Sequence, residues 1–381
     1  MGMKSPRYMF KGRAERDAAK RFLDRHALDS GQIREFSGIP VSSLALGTYL
    51  GNMDEVTDAK VAAAGVQAIE LGCNFFDTAI NYRGQRGERS IGEVLRRAVL
   101  TGKAKREEIF VSTKGGFVPY ETTPVADLTK LFEEQYVASG VARAEDLIAG
   151  CHCMEPGYLD AQIARSIKNL GVSTIDLYYL HNPETQLEEI PERIFYDKLE
   201  KSFAALEMAV KDGRIAAYGM ATWNAFREEA SSQTSVQLEK CVAAAERAAK
   251  AAGAEAHSFR AVQLPLNLAM PEAALLKTQR LGHNMLAAID AAQALDLSVA
   301  VSVPLFQARL CHNLPDFIVE KFPTELSQAQ CALAFATGFA SVDAAMVGMR
   351  VPDHVAHNLE FLKRPPLTED QLRGIIEAMI E

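Results

Sequence analysis

A carboxylate and a phenol five residues apart, Asp77 and Tyr82, stand in DTAINYRGQRGERSIGEVL just past a short apolar run. Farther along, Lys114 follows a β-branched run in FVSTKGG, and His181 follows an aromatic one in DLYYLHNP. Brought to one place, these four side chains would make a proton donor for a polarised carbonyl. A free phenol titrates near about pH 10, too high for easy donation at neutral pH, and a nearby ammonium lowers that value by stabilising the phenolate. Lys114 is the expected ammonium, with Asp77 pairing to it and keeping it charged. His181 is expected to hydrogen-bond the carbonyl oxygen and set its direction. The activated carbonyl still needs a hydride, and a nicotinamide cofactor is the simplest source. Taken singly, each residue has a plainer reading as a solvated loop group. Only convergence in space makes them a site.

The elements that would bring them together recur along the chain. From about residue 43, short β-branched or aromatic runs alternate with longer stretches of helical apolar spacing. Strands are expected at 43–48, 74–78, 109–113, 175–180, 215–220, 261–266, 297–302 and 343–348. Several intervening helices end in glycine, as at Gly72, Gly171, Gly213 and Gly253, where a left-handed cap residue belongs. Alternating strands and helices demand a parallel sheet, and eight such units predict a closed (β/α)8 TIM barrel, with an open doubly wound sheet as the alternative. Residues 1–30 read as an N-terminal extension and 31–381 as a single barrel domain. Residues 115–156 form a long insertion after the third strand, expected over the active-site mouth, and Thr368 starts an amphipathic C-terminal helix. In such a barrel the strands' C-terminal ends build the active site, and Asp77, Tyr82, Lys114 and His181 all follow directly on a strand.

Composition narrows the partners. A net charge of −8 with no block of lysine and arginine excludes an electrostatic footprint for nucleic acid or an anionic membrane, and leaves a small molecule as the expected partner. No apolar run reaches the length of a signal peptide core or a membrane span. Six scattered cysteines suit reduced thiols and a cytoplasmic location. The run Cys151, His152, Cys153 lacks a second ligand cluster, so no metal site is expected.

The motifs DTAINYRGQRGERSIGEVL, FVSTKGG and IDLYYLHNP resemble the aldo-keto reductase superfamily, and the similarity continues through VKDGRIAAYGMATW, VQLPLN, SVPLFQARL and MVGMRVPDHVAHN. The resemblance implies a barrel that binds NADPH, with NAD possible, in extended form and without a GxGxxG turn. It implies Tyr82 as general acid, assisted by Lys114 and Asp77, with His181 orienting an aldehyde or ketone for reduction or an alcohol for the reverse oxidation. Asn182 and Gln263 would hold the nicotinamide carboxamide, and Gly348, Arg350, His354 and Asn358 the adenosine 2'-phosphate and adenine. Arg350 is the best suited of these to a phosphate, because its guanidinium presents a planar fork of donors.

Two positions depart from the family pattern. Ala221 and Thr222 stand where a Ser-Asn pair is usual, so Thr222 or Asn224 would have to replace a carboxamide contact. Ser302 and Val303 stand where an aromatic ring usually stacks on the nicotinamide, leaving Phe306 or Trp223 to supply one. Phe117, Tyr120, His152 and Trp223 are the candidate substrate-binding residues. Two other readings stay open: a nicotinamide-sensing module with weak turnover, and a Schiff-base lyase using Lys114, against which Asp77 argues by raising the lysine pKa.

Overall fold

The computed structural model describes residues 9–121 and 127–380. Eight parallel strands close on themselves: β1 (Leu44–Gly47), β2 (Phe75–Asp77), β3 (Phe110–Gly115), β4 (Leu177–His181), β5 (Tyr218–Ala221), β6 (Phe259–Pro265), β7 (Ser298–Ser302) and β8 (Ala344–Gly348). Closure is made where β8 pairs with β1, with Ala345 opposite Leu44 and Gly348 opposite Gly47. Each strand is buried on both faces along nearly its whole length, which is why the sequence shows continuous apolar runs there instead of alternation with polar residues.

Around the barrel run α1 (Glu55–Glu70), α2 (Arg86–Leu100), α3 (Pro156–Leu170), α4 (Glu192–Lys211), α5 (Leu238–Ala252), α6 (Ala288–Ala294), α7 (Gln328–Thr337) and α8 (Pro352–Glu360). Among the described residues no helix is long and apolar enough to cross a membrane.

The period of two along each strand decides what points where. Phe76, Val111, Tyr178, Leu180, Val262, Leu264 and Val347 turn outward into the core shared with the helices, while Phe75, Phe110, Leu177, Tyr179, Ala261 and Ala300 fill the barrel. Extending the inward set to the C-terminal strand ends reaches Asp77, Lys114, His181 and Gln263. A slip of one residue in any strand would send its site residue into the helix layer, so the barrel's apolar packing also fixes the site. The opposite end is plugged by the hairpin Ile33–Phe36 and Ile39–Ser42, whose Phe36 ring packs 5.0 Å from Phe75 and 5.6 Å from Phe110. Burial of one such ring contributes roughly 1.5–3 kcal/mol.

The insertion after β3 is described except at residues 122–126. Its described part contains the helix Leu128–Phe132, continued by a wider turn over Glu133–Val137, and has its own small core of Val118, Phe132, Tyr136, Ala142 and Cys153 against Tyr158 of α3. Three apolar rings, Phe132, Tyr136 and Tyr158, lie within 5.7 Å of one another and draw the insertion against α3. The amphipathic C-terminal helix is Glu369–Ile380, where Thr368 Oγ1 accepts from the Gln371 N–H at 3.3 Å.

Candidate active site

At the C-terminal ends of the strands opens a cavity of about 940 Å³, at the upper end of the roughly 300–1,000 Å³ usual for small-molecule sites. Asp77, Tyr82, Phe117, His181, Asn182, Thr222, Trp223, Gln263, Gly348, Arg350, His354 and Asn358 all line it. Lys114, Tyr120, His152 and Asn224 lie outside that lining.

Lys114 sits one layer below. Its Nζ donates to Asp77 Oδ2 at 2.5 Å and to the Thr78 carbonyl at 2.7 Å, and lies 5.0 Å from the centroid of the Tyr82 ring. Asp77 Oδ1 also accepts from Ser112 Oγ at 2.7 Å and from Gln263 Nε2 at 3.2 Å. Burial lowers the Lys114 pKa; Asp77 and Glu88 oppose that lowering without overcoming it. The argument against imine chemistry therefore changes. The pKa does not forbid it, but a fully buried ammonium enclosed by Asp77 and Thr78 offers no approach to a carbonyl.

The expectation that Lys114 lowers the Tyr82 pKa is corrected. Burial first, then the charge of Asp77 and the neighbouring Tyr49, hold the phenol well above its ordinary value. The ammonium lies 5.0 Å from the ring centroid and is already paired with Asp77, so it does not offset these effects. The phenol accordingly keeps its proton at neutral pH. His181 is held well below its ordinary pKa by burial, by Lys114 and by His152, and is a neutral imidazole. Its Nδ1 is buried without a partner among the described residues.

The remaining residues divide by place. Asn182, in a left-handed turn (φ 43°), has its backbone N–H bonded to the Ala221 carbonyl at 2.6 Å. Thr222 Oγ1 makes a long contact of 3.5 Å with the Gln263 carbonyl. Asn224 has turned away: its Oδ1 accepts from Arg227 Nη2 at 3.0 Å, and the N–H groups of Trp223 and Asn224 cap on Glu184 Oε1 at 2.6 and 3.1 Å. Tyr120 meets the neck of α2 through its carbonyl, which accepts from Gln85 Nε2 at 3.4 Å. His152 is internal, joined to the His181 carbonyl and to Gln186. At the other end of the cavity, Arg350 and His354 are exposed beside the N-terminus of α8, and His312 and His357 also face the space. Asp77, paired with Lys114, is the one carboxylate among the described lining residues, so this end favours an anion.

Sequence reasoning missed Tyr49 and Leu50, which follow β1 and line the mouth. Tyr49 packs edge-on against Tyr82 with centroids 5.0 Å apart. The strand-end logic that found His181 would have found Tyr49 as well. It also missed Leu305, Gln307 and Cys311, which continue the wall that Ser302 and Val303 begin after β7. Phe306 does not line the cavity, and its ring lies under Arg309. Trp223 does line it and is 42% exposed.

Comparison with known proteins gives a consistent set of likenesses. A family model described as the Aldo/keto reductase family matches residues 43–237. Aldo-keto reductase yakc [NADP(+)] of Schizosaccharomyces pombe is 29% identical over 160 residues, which cover 42% of this chain and 35% of that protein. Aldo-keto reductase AKR2E4 of Bombyx mori is 28% identical over 196 residues, covering 51% and 50%. The chain thus spans half or less of the length of these curated relatives. Aldo-keto reductase AKR11C1 from Bacillus halodurans in its holo form superposes with a TM-score of 0.64 at 17% identity, covering 91% of this chain and 96% of that one. An aldo-keto reductase from Klebsiella pneumoniae in complex with NADPH gives 0.61 at 18% identity, covering 92% and 95%. These structural likenesses bear on the fold.

Proposed function

Because the chain belongs to the aldo/keto reductase family, we propose that it is an NADPH-dependent oxidoreductase that reduces a small aldehyde or ketone to an alcohol, or runs the reverse oxidation. The observation that carries this reading is the convergence of Tyr82, the Lys114–Asp77 pair beneath it and neutral His181 on one cavity whose far end is built for an anion.

The residues present fit a nicotinamide dinucleotide. The Asn182 side chain and Gln263 Oε1 have no protein partner among the described residues and face the cavity, complementary to a carboxamide. Thr222 stands beside them. Gly348, Arg350 and His354 stand about the α8 N-terminus, where a phosphate gains from backbone N–H groups and from the guanidinium fork, and Asn358 lines the cavity from farther along the helix. A bound nicotinamide would supply the hydride. NADPH is favoured by Arg350, by the NADP(+) in the name of the Schizosaccharomyces pombe relative and by the NADPH complex of the Klebsiella pneumoniae protein, with NADH as a weaker alternative.

In this reading the substrate carbonyl is hydrogen-bonded by the Tyr82 hydroxyl and a His181 N–H. Tyr82 Oη gives its proton to the oxygen as negative charge develops there, and the Lys114 ammonium stabilises the phenolate left behind. The raised Tyr82 pKa keeps the donor loaded before reaction. Tyr49, Leu50, Phe117 and Trp223 give the substrate end an apolar, aromatic wall, which suits apolar carbonyl compounds. Six unpaired cysteines agree with a reducing, cytoplasmic setting.

A nicotinamide sensor is the second reading. It is favoured by Ser302 and Val303 at the end of β7, since the residues among 302–308 that line the cavity contribute no aromatic ring. Calorimetric titration with NADPH and NADH, followed by NADPH oxidation against a panel of aldehydes and ketones, separates the two. Tight NADPH binding with turnover is expected; tight binding without turnover would replace the reductase reading with the sensor.

A further inference from the structure

The body of the insertion stands apart from the cavity, yet its neck does not. Residues 116–118 pair with 151–153, through Val118 N–H to the Cys151 carbonyl at 2.8 Å and Cys153 N–H to the Gly116 carbonyl at 2.9 Å. This lacing brings two side chains onto His181. The Phe117 ring meets the His181 ring edge-on at 5.1 Å and the His152 ring at 5.2 Å. His152 Nε2 lies 2.8 Å from the His181 backbone carbonyl oxygen.

The direction of that hydrogen bond can be assigned. Gln186 Nε2 lies 2.9 Å from His152 Nδ1 and 3.2 Å from the His152 carbonyl oxygen. Only an amide N–H suits both partners, because the reverse orientation would place two carbonyl oxygens together. His152 Nδ1 is therefore the acceptor and Nε2–H the donor to His181. The ring is wholly buried, and burial lowers its pKa to about 4, so it stays neutral.

This bond fills a gap in the barrel. The β3–β4 ladder ends where Gly115 pairs with Leu180, and the His181 carbonyl lies one residue beyond. Its peptide leads directly into the left-handed Asn182. Fixing the plane of that peptide fixes both the imidazole behind it and the amide ahead of it. Gly116 is cut to match: its φ is +139°, and a Cβ there would lie 2.6 Å from His152 Nε2 and 3.1 Å from the His181 carbonyl oxygen.

We infer that His152, oriented by Gln186 and carried by the neck of the insertion, is a positioning residue that holds His181 and Asn182 for carbonyl reduction. The inference rests on the reductase reading. It gives the insertion a task at the site that its remote body does not suggest.

The test is a double-mutant cycle on the full chain, using His152→Leu, His181→Ala and the two combined, with His152→Gln as the variant that keeps an N–H donor. His152→Leu should lower kcat about 10–100-fold, the scale of a small misplacement of a reacting group, with KM changed less than about 2-fold. His152→Gln should recover kcat to within about 5-fold of the original. In the His181→Ala background, removing His152 should cost kcat at least about 5-fold less than in the unmodified chain, because only the share carried through Asn182 remains. Equal losses in both backgrounds, or no rescue by glutamine, would overturn the role. A readout independent of turnover is the imidazole proton–nitrogen correlation spectrum, in which the His181 signals should move in His152→Leu, or in His152→Ser if the leucine variant does not fold. Unmoved His181 signals overturn the positioning role, whereas a chain with moved signals that never oxidises NADPH overturns only the reductase reading.

Discussion

The two ends of the cavity are built on different principles. Under Tyr82, Asp77 is held by Ser112, Gln263 and Lys114, all on the inward faces of strands, and Lys114 by Asp77 and the Thr78 carbonyl. Directly beyond β7 the wall is loop. Val303, Phe306, Gln307 and Ala308 are all left-handed non-glycine residues (φ 46–69°), each costing roughly 1–2 kcal/mol. Asn267 Nδ2 steadies this loop with one hydrogen bond of 3.0 Å to the Val303 carbonyl. Arg350, across the cavity, makes neither hydrogen bond nor ion pair with any described residue. Folding alone organises the chemical end, while the binding end keeps donors free for a ligand to engage. Changes at the first should fall on rate and stability, and changes at the second on affinity.

Tyr82→Phe is the sharpest break. It removes the donated proton and nothing the barrel needs, so kcat should fall about 10²–10⁴-fold, while NADPH affinity by calorimetry stays within about 2-fold. Unchanged hydride transfer in a stopped-flow trace would remove Tyr82 from its role. Lys114→Met comes next, and its main effect is on stability. It strands a buried Asp77, which costs about 3–5 kcal/mol as read from urea unfolding. Adding Asp77→Leu should recover much of that loss, because the lone charge is the penalty. If the double variant is no more stable than the single one, the pair is not the unit described.

At the other end, Arg350→Leu should weaken NADPH about 10-fold, equivalent to about 1.4 kcal/mol, with NADH changed less than 2-fold and kcat at saturating cofactor preserved. Calorimetry at two salt concentrations checks it, since a phosphate contact is lost with rising salt. Equal weakening of both cofactors would place the guanidinium away from the extra phosphate.

The same division explains what could be read from the sequence. Every barrel strand was visible as a short apolar run, and the strand-end rule then located Asp77, Lys114 and His181, because side-chain period and strand position are local properties. What escaped depends on three-dimensional depth. The sign of the Tyr82 pKa shift follows from how burial and Asp77 outweigh an ammonium already spent on its own partner. The insertion's packing on α3 turns on rings far apart in sequence, Tyr136 and Tyr158 among them. His152, read as a pocket residue because its loop follows β3, faces backbone because Gly116 opens a slot no spacing rule reveals.

That buried imidazole also supplies the smallest effect, one that tests its neutral state directly. His152 titrates near 6.5 when unfolded and at about 4 when folded. Between those values the unfolded chain binds the extra proton, so its contribution to stability is fully present above about pH 6.5, declines as pH falls and is exhausted below pH 4. His181 has its pKa shifted in the same direction and adds to the same acid limb. Replacing His152 with glutamine removes one of the two while leaving a donor for the His181 carbonyl. The stability lost between pH 7 and pH 5.5 should therefore shrink by about 1 kcal/mol relative to the unmodified chain, measured by urea unfolding at each pH. An unchanged acid limb would mean that His152 is protonated in the fold. A protonated ring would have to donate from Nδ1 as well, which the Gln186 amide, presenting its own N–H there, does not allow.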